Sequence, residues 1–124
     1  MISIVDDDQS VREATKGLVR SLGYRVATFG SAEEFLRSER VHDSSCLITD
    51  LQMPGFSGLE LQSHLIAEGN PVPMVFVTAF PEECVRSKAL QAGAAGFLGK
   101  PFNEENLIAC LDKALTDSTT SREQ

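Results

Sequence analysis

The sequence predicts a single α/β domain built on a doubly wound, five-stranded parallel sheet. Short apolar runs alternate with amphipathic helical patterns along its 124 residues, and no segment is repeated. The apolar runs are hydrophobic on both faces, which is typical of parallel strands that helices cover on both sides. A chain of this length fits one domain and can bury a core without disulfides or metal ions.

The first two β–α units have clear local signals. The first strand is predicted over Ile2–Val5, and the helix after it ends at Gly23. A second, weaker strand follows over Tyr24–Thr28, and the capping box Ser31-Ala-Glu-Glu34 starts a short helix. The apolar residues that share one face of the first helix are Val11, Ala14, Leu18, Val19 and Leu22.

The third unit begins with a strand over Cys46–Thr49 that ends at Asp50, before a loop rich in proline and glycine. Ser57 and Glu60 form a second capping box, which opens the next helix. The inward-facing residues of this helix are Leu61 and Leu65.

The last two units follow the same pattern. The fourth strand is predicted over Met74–Val77 and ends at Thr78, and a helix over roughly 82–92 follows it. A short fifth strand contains Phe97, and Asn103 caps the final helix. The apolar residues on one face of the final helix are Leu107, Ile108, Leu111, Ala114 and Leu115.

The composition argues against several classes of protein. The chain has 11 basic and 18 acidic residues, and this net charge of −7 argues against direct nucleic-acid binding. It has no run long enough to span a membrane and no secretory signal, so a cytoplasmic location is expected.

We expect the domain to cover 1–116 and 117–124 to be a polar tail or the start of a linker. The chain has three cysteines, Cys46, Cys84 and Cys110. We expect them to be reduced and buried, and their spacing does not match that of a zinc site.

Polar residues follow the predicted strands, and a parallel sheet brings these strand ends to one edge. They are Asp6, Asp7, Asp8, Asp50, Thr78 and Lys100. For Asp8 we expect only a helix N-cap, because it lies farthest into its turn. Clustered carboxylates repel one another, and a cation such as Mg²⁺ relieves this repulsion. The sequence therefore predicts a metal site at this edge.

This set of groups suits phosphoryl transfer. A carboxylate held beside a divalent cation can attack a phosphoryl group and form an acyl phosphate. The reaction mainly requires positioning and neutralisation of charge on the phosphoryl oxygens. Lys100 supplies a point charge and Thr78 a hydroxyl donor. On physical grounds alone, Phe97 is expected to be a core residue.

Together these residues resemble the receiver domain of bacterial two-component response regulators. The motifs that carry the resemblance are Val5-Asp-Asp7, Thr49-Asp50 with Met53-Pro-Gly55 and Gly58, Val77-Thr-Ala79, and Gly99-Lys-Pro-Phe102. They cover residues 2 to about 115. The segment Phe29-Gly-Ser-Ala-Glu-Glu-Phe35 and the loop after Asp50 are most similar to the FixJ-type branch. The resemblance implies a flavodoxin-like (βα)5 fold with strand order 2-1-3-4-5.

The resemblance also implies which residues bind the metal and accept the phosphoryl group. Asp50 would be the phosphoacceptor. Asp6 and Asp7 would form an acidic pocket for Mg²⁺, or for Mn²⁺ in its place. Asp7 and Asp50 would be direct ligands, and the backbone carbonyl of Gln52 would be a third.

Other positions would bind the phosphoryl group and report its presence. Lys100 would pair with the phosphoryl group, and Thr78 and the Ala79 N–H would hydrogen-bond it. Thr78 and Phe97 would form the switch, and the Lys100–Pro101 bond would be cis. The family often has tyrosine where this chain has Phe97, so the switch here would depend on burial of the ring.

The family's partners are the expected partners. A sensor histidine kinase would donate the phosphoryl group, and phosphorylation would promote homodimerisation or switch a C-terminal DNA-binding domain in the full-length protein. The domain would be a phosphorylated signalling domain, not an enzyme, although it would assist its own phosphorylation and dephosphorylation. Phe80 and Pro81 depart from the pattern and are expected to slow water entry or reshape the following helix.

Two other functions stay open on the sequence. Haloacid-dehalogenase-type phosphatases also use an aspartate nucleophile, Mg²⁺, Ser/Thr and Lys, and Asp6-Asp7-Asp8-Gln9-Ser10 resembles their first motif. Those enzymes need a further acidic motif after the lysine, whereas Asp112 is predicted to lie inside the last helix. The second alternative is an interaction module that takes no phosphoryl group, and the complete acceptor set argues against it.

Overall fold

Strands and helices alternate along the chain, as the sequence predicts. The computed structural model describes residues 1–38, 43–51, 57–69, 72–100 and 102–123, with side chains as far as residue 115. The strands are β1 (Ile2–Val5), β2 (Val26–Phe29), β3 (Cys46–Asp50), β4 (Met74–Thr78) and β5 (Gly96–Gly99). The helices are α1 (Gln9–Ser21), α2 (Ala32–Arg37), α3 (Gly58–Ala67), α4 (Glu83–Gln91) and α5 (Glu104–Glu123).

The strands form one parallel sheet in the order β2-β1-β3-β4-β5, which confirms the predicted topology. Asp50 pairs with Val77, and Thr78 pairs with Gly99. The carboxyl ends of β3, β4 and β5 are therefore level with one another. Polar side chains at these ends meet at one edge of the sheet.

Helices cover both faces of the sheet, and each face has its own apolar core. The core beneath α2, α3 and α4 contains Val5, Phe35, Leu47, Leu61, Leu65, Phe76 and Ala89. The core beneath α1 and α5 contains Ile4, Val19, Ile48, Val75, Leu107 and Leu111. Strands β1, β3 and β4 are buried along their whole length, which explains why their sequences are apolar on both faces.

Several helix ends have the caps that the sequence predicts. Ser57 and Glu60 form a complete capping box at the start of α3. Asn103 Oδ1 accepts the backbone N–H three residues later at 2.8 Å, at the start of α5. Gly23 and Gly93 follow α1 and α4 with φ angles of 96° and 103°. This left-handed region favours glycine, which explains why both helices end there.

The structure differs from the prediction around the second strand. β2 begins at Val26, later than predicted, because it pairs only with the short strand β1. Ser31 caps α2 by accepting the Glu34 N–H at 3.1 Å. The Glu34 carboxylate, however, accepts the N–H of Gly30 at 3.2 Å rather than that of Ser31. The predicted capping box is therefore only half formed.

The last helix is longer than the apolar pattern indicates. Its backbone stays helical to Glu123. No glycine or proline interrupts the sequence between residues 104 and 123, which explains the continuation. The domain boundary at residue 116 and the linker role of the segment after it stay predictions.

The cysteines differ from one another in exposure. Cys46 is buried, Cys110 is half-buried and Cys84 is exposed, and all three are free thiols. The expectation of buried thiols is therefore wrong for Cys84, which lies in the first turn of α4. In the described part of the chain, no helix combines the length and the apolar character needed to cross a bilayer.

Candidate functional site

Charged side chains that follow β1, end β3 and follow β5 meet at the carboxyl edge of the sheet. Lys100 Nζ lies 3.3 Å from Asp6 Oδ2 and 3.1 Å from Asp50 Oδ2. Asp6 is 3% exposed and Asp50 is 7% exposed. One ammonium group therefore bridges two carboxylates that are almost completely buried.

Backbone hydrogen bonds hold Asp6 in place. Asp6 Oδ1 accepts the Asp8 N–H at 2.9 Å, and the Asp6 N–H donates to the Phe29 carbonyl oxygen at 3.1 Å. Arg12 Nη1 donates to the Asp6 carbonyl oxygen at 2.7 Å. Asp8 accepts two backbone N–H groups of the first turn of α1, which confirms its predicted capping role. The loop after β1 is therefore rigidly anchored.

The charges in the pocket are not balanced. Burial raises the pKa of Asp6, and the Asp50 carboxylate adds to this, while the Asp8 N–H and Lys100 oppose it. Burial also disfavours the charged form of Lys100, but its hydrogen bonds and attraction to Asp50 and Asp6 outweigh this and raise its pKa. The pocket therefore keeps Lys100 charged, while burial favours the neutral form of Asp6.

A third carboxylate completes a cluster that suits a divalent cation. Asp7 is exposed at the edge of the pocket, and carboxylate oxygens of Asp6, Asp7 and Asp50 all lie within 4.8 Å of one another. Around an octahedral Mg²⁺, adjacent oxygens are about 3 Å apart and opposite oxygens about 4.2 Å apart, so the carboxylates would have to move closer together to bind one ion. Hard oxygen donors with an exposed side for water ligands fit Mg²⁺ or Mn²⁺.

Thr78 lies at the end of β4, next to these charges. It is fully buried, and its Oγ1 accepts the Phe80 N–H at 3.1 Å. Its carbonyl oxygen accepts the Lys100 N–H at 2.7 Å, which ties the end of β4 to the residue after β5. Ala79 follows at an exposed position. The hydroxyl and the Ala79 backbone are therefore at the same edge of the sheet as Asp50.

Phe80 and Pro81, which follow Ala79, have different environments. The side chain of Phe80 is 67% exposed, so it does not cover the pocket with a buried ring. The Pro81 ring lies over β5, because a Cβ on Gly99 would be only 3.2 Å from Pro81 Cγ. Pro81 therefore fixes the loop that leads to α4 against the neighbouring strand.

Phe97 lies on the α4 side of the sheet. It is half-buried against the core beneath α2, α3 and α4, and it pairs with Phe76 of β4. The expectation that Phe97 is a core residue is therefore confirmed only in part, because the ring packs against the core without being fully buried. Its role as a switch stays a prediction.

Helix α3 begins very close to the strand that carries Asp50. A Cβ on Gly58 would lie 2.9 Å from the Asp50 carbonyl oxygen and 3.1 Å from Leu51 Cα. The Gly58 N–H donates to the Leu51 carbonyl oxygen at 3.0 Å. Residue 58 must therefore be a glycine for the helix to begin at this distance from β3.

The predicted and observed sites differ in a few residues. The Gln52 carbonyl and the geometry of the Lys100–Pro101 bond lie outside the described residues and stay predictions. The sequence analysis missed Arg12, which anchors the loop that carries Asp6. No pattern in the sequence indicated it, because the contact joins a helix side chain to the backbone carbonyl of Asp6.

Comparison with known proteins points to one family. The model of the response regulator receiver domain matches residues 2–112. The response regulator protein TmoT of Ectopseudomonas mendocina is 43% identical over 115 residues, which are 93% of this chain and 52% of that protein. The transcriptional regulatory protein FixJ of Azorhizobium caulinodans is 36% identical over 123 residues, which are 99% of this chain and 58% of that protein.

A solved structure gives the same result for the fold. The crystal structure of FixJ-N has a TM-score of 0.82 and 32% sequence identity, and the match covers 93% of this chain and 92% of that one. The chain spans only 52% and 58% of the length of TmoT and FixJ.

Proposed function

The chain belongs to the receiver-domain family of two-component response regulators, and from this premise we propose that Asp50 accepts a phosphoryl group from a phosphohistidine of a sensor histidine kinase. One observation carries the proposal: Lys100 Nζ lies 3.1 Å from Asp50 Oδ2, inside a cluster of three carboxylates. A buried carboxylate beside an ammonium and a cation-binding cluster suits acyl phosphate formation.

We assign the attack to Asp50, which ends β3 beside Lys100, and the acidic pocket to Asp6. The carboxylate oxygens of Asp6 accept hydrogen bonds from the Asp8 N–H and from Lys100, which suits a fixed role in the pocket. In the proposed reaction, a carboxylate oxygen of Asp50 attacks phosphorus. The P–O bond forms as the P–N bond to the donor histidine breaks, and the imidazole leaves with the electron pair.

The neighbouring residues stabilise the phosphoryl group. Lys100 pairs with one phosphoryl oxygen, while the Thr78 hydroxyl and the Ala79 N–H donate to another. Asp6 and Asp7 form the acidic pocket, and Asp7, Asp50 and the Gln52 carbonyl would hold Mg²⁺. The ion would neutralise negative charge on the phosphoryl oxygens.

Phosphorylation is proposed to switch the domain between two states. Thr78 turns toward the new phosphoryl group, and the loop after it and the Phe97 ring move inward with it. The shifted surface promotes homodimerisation in the cytoplasm and controls a C-terminal DNA-binding domain in the full-length protein. The proposal of an output domain is supported by FixJ, a transcriptional regulatory protein that is longer than this chain.

Intact-protein mass spectrometry after incubation with acetyl phosphate and Mg²⁺ tests the acceptor. We expect one added phosphoryl group on the wild type, and none on Asp50→Asn or in EDTA. An adduct that survives Asp50→Asn but not Asp6→Asn would contradict the proposal and favour a phosphatase with Asp6 as nucleophile. A wild type that takes no phosphoryl group would favour an interaction module.

A further inference from the structure

Asp7 differs from the other two carboxylates of the cluster in how its side chain is held. Asp6 and Asp50 are buried, and both contact the Lys100 ammonium. Asp7 is exposed, and within the described part of the chain its carboxylate has no hydrogen bond or ion pair. The backbone on either side of Asp7 therefore determines where this carboxylate lies.

Hydrogen bonds hold both of the peptide groups that flank Asp7. In the preceding peptide, the Asp6 carbonyl oxygen accepts a hydrogen bond from Arg12 Nη1 at 2.7 Å. In the following peptide, the Asp8 N–H donates to Asp6 Oδ1 at 2.9 Å. Because a peptide group is planar, holding both groups restricts the two backbone dihedral angles of Asp7 between them. The side chain of Asp7 therefore starts from a defined position, and its carboxylate moves only by rotation about its own bonds.

Arg12 is well placed to support this backbone. Its own N–H donates to the Asp8 carbonyl oxygen at 2.9 Å, so its main chain is fixed in the first turn of α1. Its half-buried side chain passes Gly30, in the loop between β2 and α2, where an added Cβ would lie 3.5 Å from Arg12 Nη1. Arg12 therefore bonds to the carbonyl oxygens of both neighbours of Asp7, with its side chain to Asp6 and with its main chain to Asp8.

The charge of Arg12 and its hydrogen bond have opposite effects on cation binding. A positive group beside a cluster of carboxylates repels a divalent cation, so the charge alone weakens the site proposed for Mg²⁺. The hydrogen bond strengthens the site, because a carboxylate that is already held in place loses less freedom when an ion binds. Removal of the guanidinium therefore changes the affinity for Mg²⁺ in a direction that shows which effect is larger.

We propose that Arg12 is a positioning residue for Asp7: it holds the peptide between Asp6 and Asp7 so that the Asp7 carboxylate lies ready for a divalent cation. Arg12 acts through the backbone and is not a ligand of the ion. The cation is that of the proposed function, on which this part of the inference rests. The support that Arg12 gives to the loop is a property of the metal-free fold.

Calorimetric titration of the unphosphorylated protein with MgCl2 tests the effect on the ion. We expect Arg12→Met to weaken Mg²⁺ binding about threefold to tenfold, although the change removes a positive charge that repels the ion. Methionine keeps a long unbranched side chain at this half-buried position, so the fold should survive. Arg20→Met, the same replacement at an exposed position of α1, is the matched control and should not weaken binding.

Amide hydrogen exchange in EDTA tests the support of the loop without any ion. In Arg12→Met we expect the Asp8 amide to exchange about threefold to tenfold faster, because the loop that holds its acceptor is loosened. The Leu51 amide, which donates to the Val77 carbonyl oxygen at 2.9 Å, should keep its wild-type rate. A merely structural role of Arg12 would lower global stability and accelerate both amides to the same extent, which would contradict the proposal.

Two further results would overturn the proposal. One is a folded Arg12→Met protein that binds Mg²⁺ as tightly as the wild type or more tightly, and the other is an Asp8 amide that keeps its wild-type rate. If Arg12→Met does not fold, Arg12→Gln serves in its place, because it also lacks the charge and its side chain is two bonds shorter. If the wild type binds no Mg²⁺, the cation site of the proposed function fails, and the exchange comparison alone decides whether Arg12 holds the backbone of Asp7.

Discussion

Asp6 carries a carboxylate at a position where burial favours its neutral form. It is almost fully buried, and burial raises its pKa despite the nearby Lys100 ammonium. A polar neutral side chain of the same shape would avoid this penalty. The aspartate therefore adds negative charge to the cluster of three carboxylates at the expense of stability.

Asp6→Asn should make the metal-free protein more stable. The raised pKa means that folding disfavours the Asp6 charge, so a neutral side chain should increase the free energy of unfolding by on the order of 1 kcal/mol. Urea denaturation in EDTA measures this. Asp8→Asn is the control, since asparagine caps a helix as well as aspartate does. A less stable Asp6→Asn protein would show that the hydrogen bonds of the carboxylate outweigh its burial.

Lys100→Met should destabilise the fold by about 2 kcal/mol near neutral pH, because it leaves two buried carboxylates without their shared cation. The folded-state pKa of Lys100 is raised. Its contribution is therefore fully present below the ordinary lysine pKa and is lost as the pH rises through the raised value.

Urea denaturation of the wild type and of Lys100→Met near neutral pH and at about pH 11 measures this effect. The difference in stability should narrow at the higher pH. Lys113→Met, at an exposed position of α5, is the control and should differ little from the wild type at either pH. A difference that is independent of pH would show that the Lys100 ammonium is not the stabilising group.

At the scale of the elements, the short distance between the start of α3 and β3 requires a glycine at position 58. Gly58→Ala should destabilise the protein by about 2 kcal/mol, because the new Cβ would lie 2.9 Å from the Asp50 carbonyl oxygen. Gly17→Ala is the matched control. A Cβ on Gly17, inside α1, meets nothing within 4 Å and should stabilise the protein by about 0.5–1 kcal/mol.

Thermal denaturation of the two alanine variants measures both effects, and they should have opposite signs. If Gly58→Ala were as stable as the wild type, the start of α3 would have room to move away from β3. The chemical shift of the Asp50 amide would then show whether β3 moves as well.

Elements were predictable where the signal is local. The buried runs of β3 and β4 and the capping box of Ser57 and Glu60 each depend on a few adjacent residues. The start of β2 was not predictable, because an edge strand takes its length from the strand it pairs with. The Glu34 carboxylate likewise had two backbone N–H groups within reach, and the sequence pattern does not distinguish between them.

The same distinction applies to the site. The rule that ligands bind at the carboxyl ends of parallel strands was enough to bring Asp6, Asp50 and Lys100 together. The contacts of Arg12 and Gln62 were not predictable, because each joins a helix to a backbone carbonyl of another element. Such contacts depend on how the elements pack, and residue spacing does not encode that packing directly.

At the scale of the whole molecule, the excess of negative charge predicts that stability depends on cations. The net charge is −7, and the carboxylates of Asp6, Asp7 and Asp50 are clustered. A cation that binds only the folded state stabilises it by mass action, by about 2.7 kcal/mol at a hundredfold excess over its Kd.

Thermal denaturation in MgCl2 and in NaCl of equal ionic strength measures this effect. Mg²⁺ should raise the melting temperature above the value in NaCl, and EDTA should reverse the rise. Asp7→Asn should lose most of this increase, because it removes the exposed carboxylate of the cluster. An equal increase in both salts would mean that the cations act only by screening the net charge.

The ion pair between Lys100 and Asp6 joins residues 94 positions apart. During translation, Asp6 and Asp50 leave the ribosome long before the lysine that bridges them, and the edge strand β5 is the last to dock. Until then, the Asp50 carboxylate does not have the Lys100 ammonium beside it. A chain that stalls or is cleaved before Lys100 therefore cannot assemble the pocket, so truncated products should not take part in the proposed phosphoryl transfer.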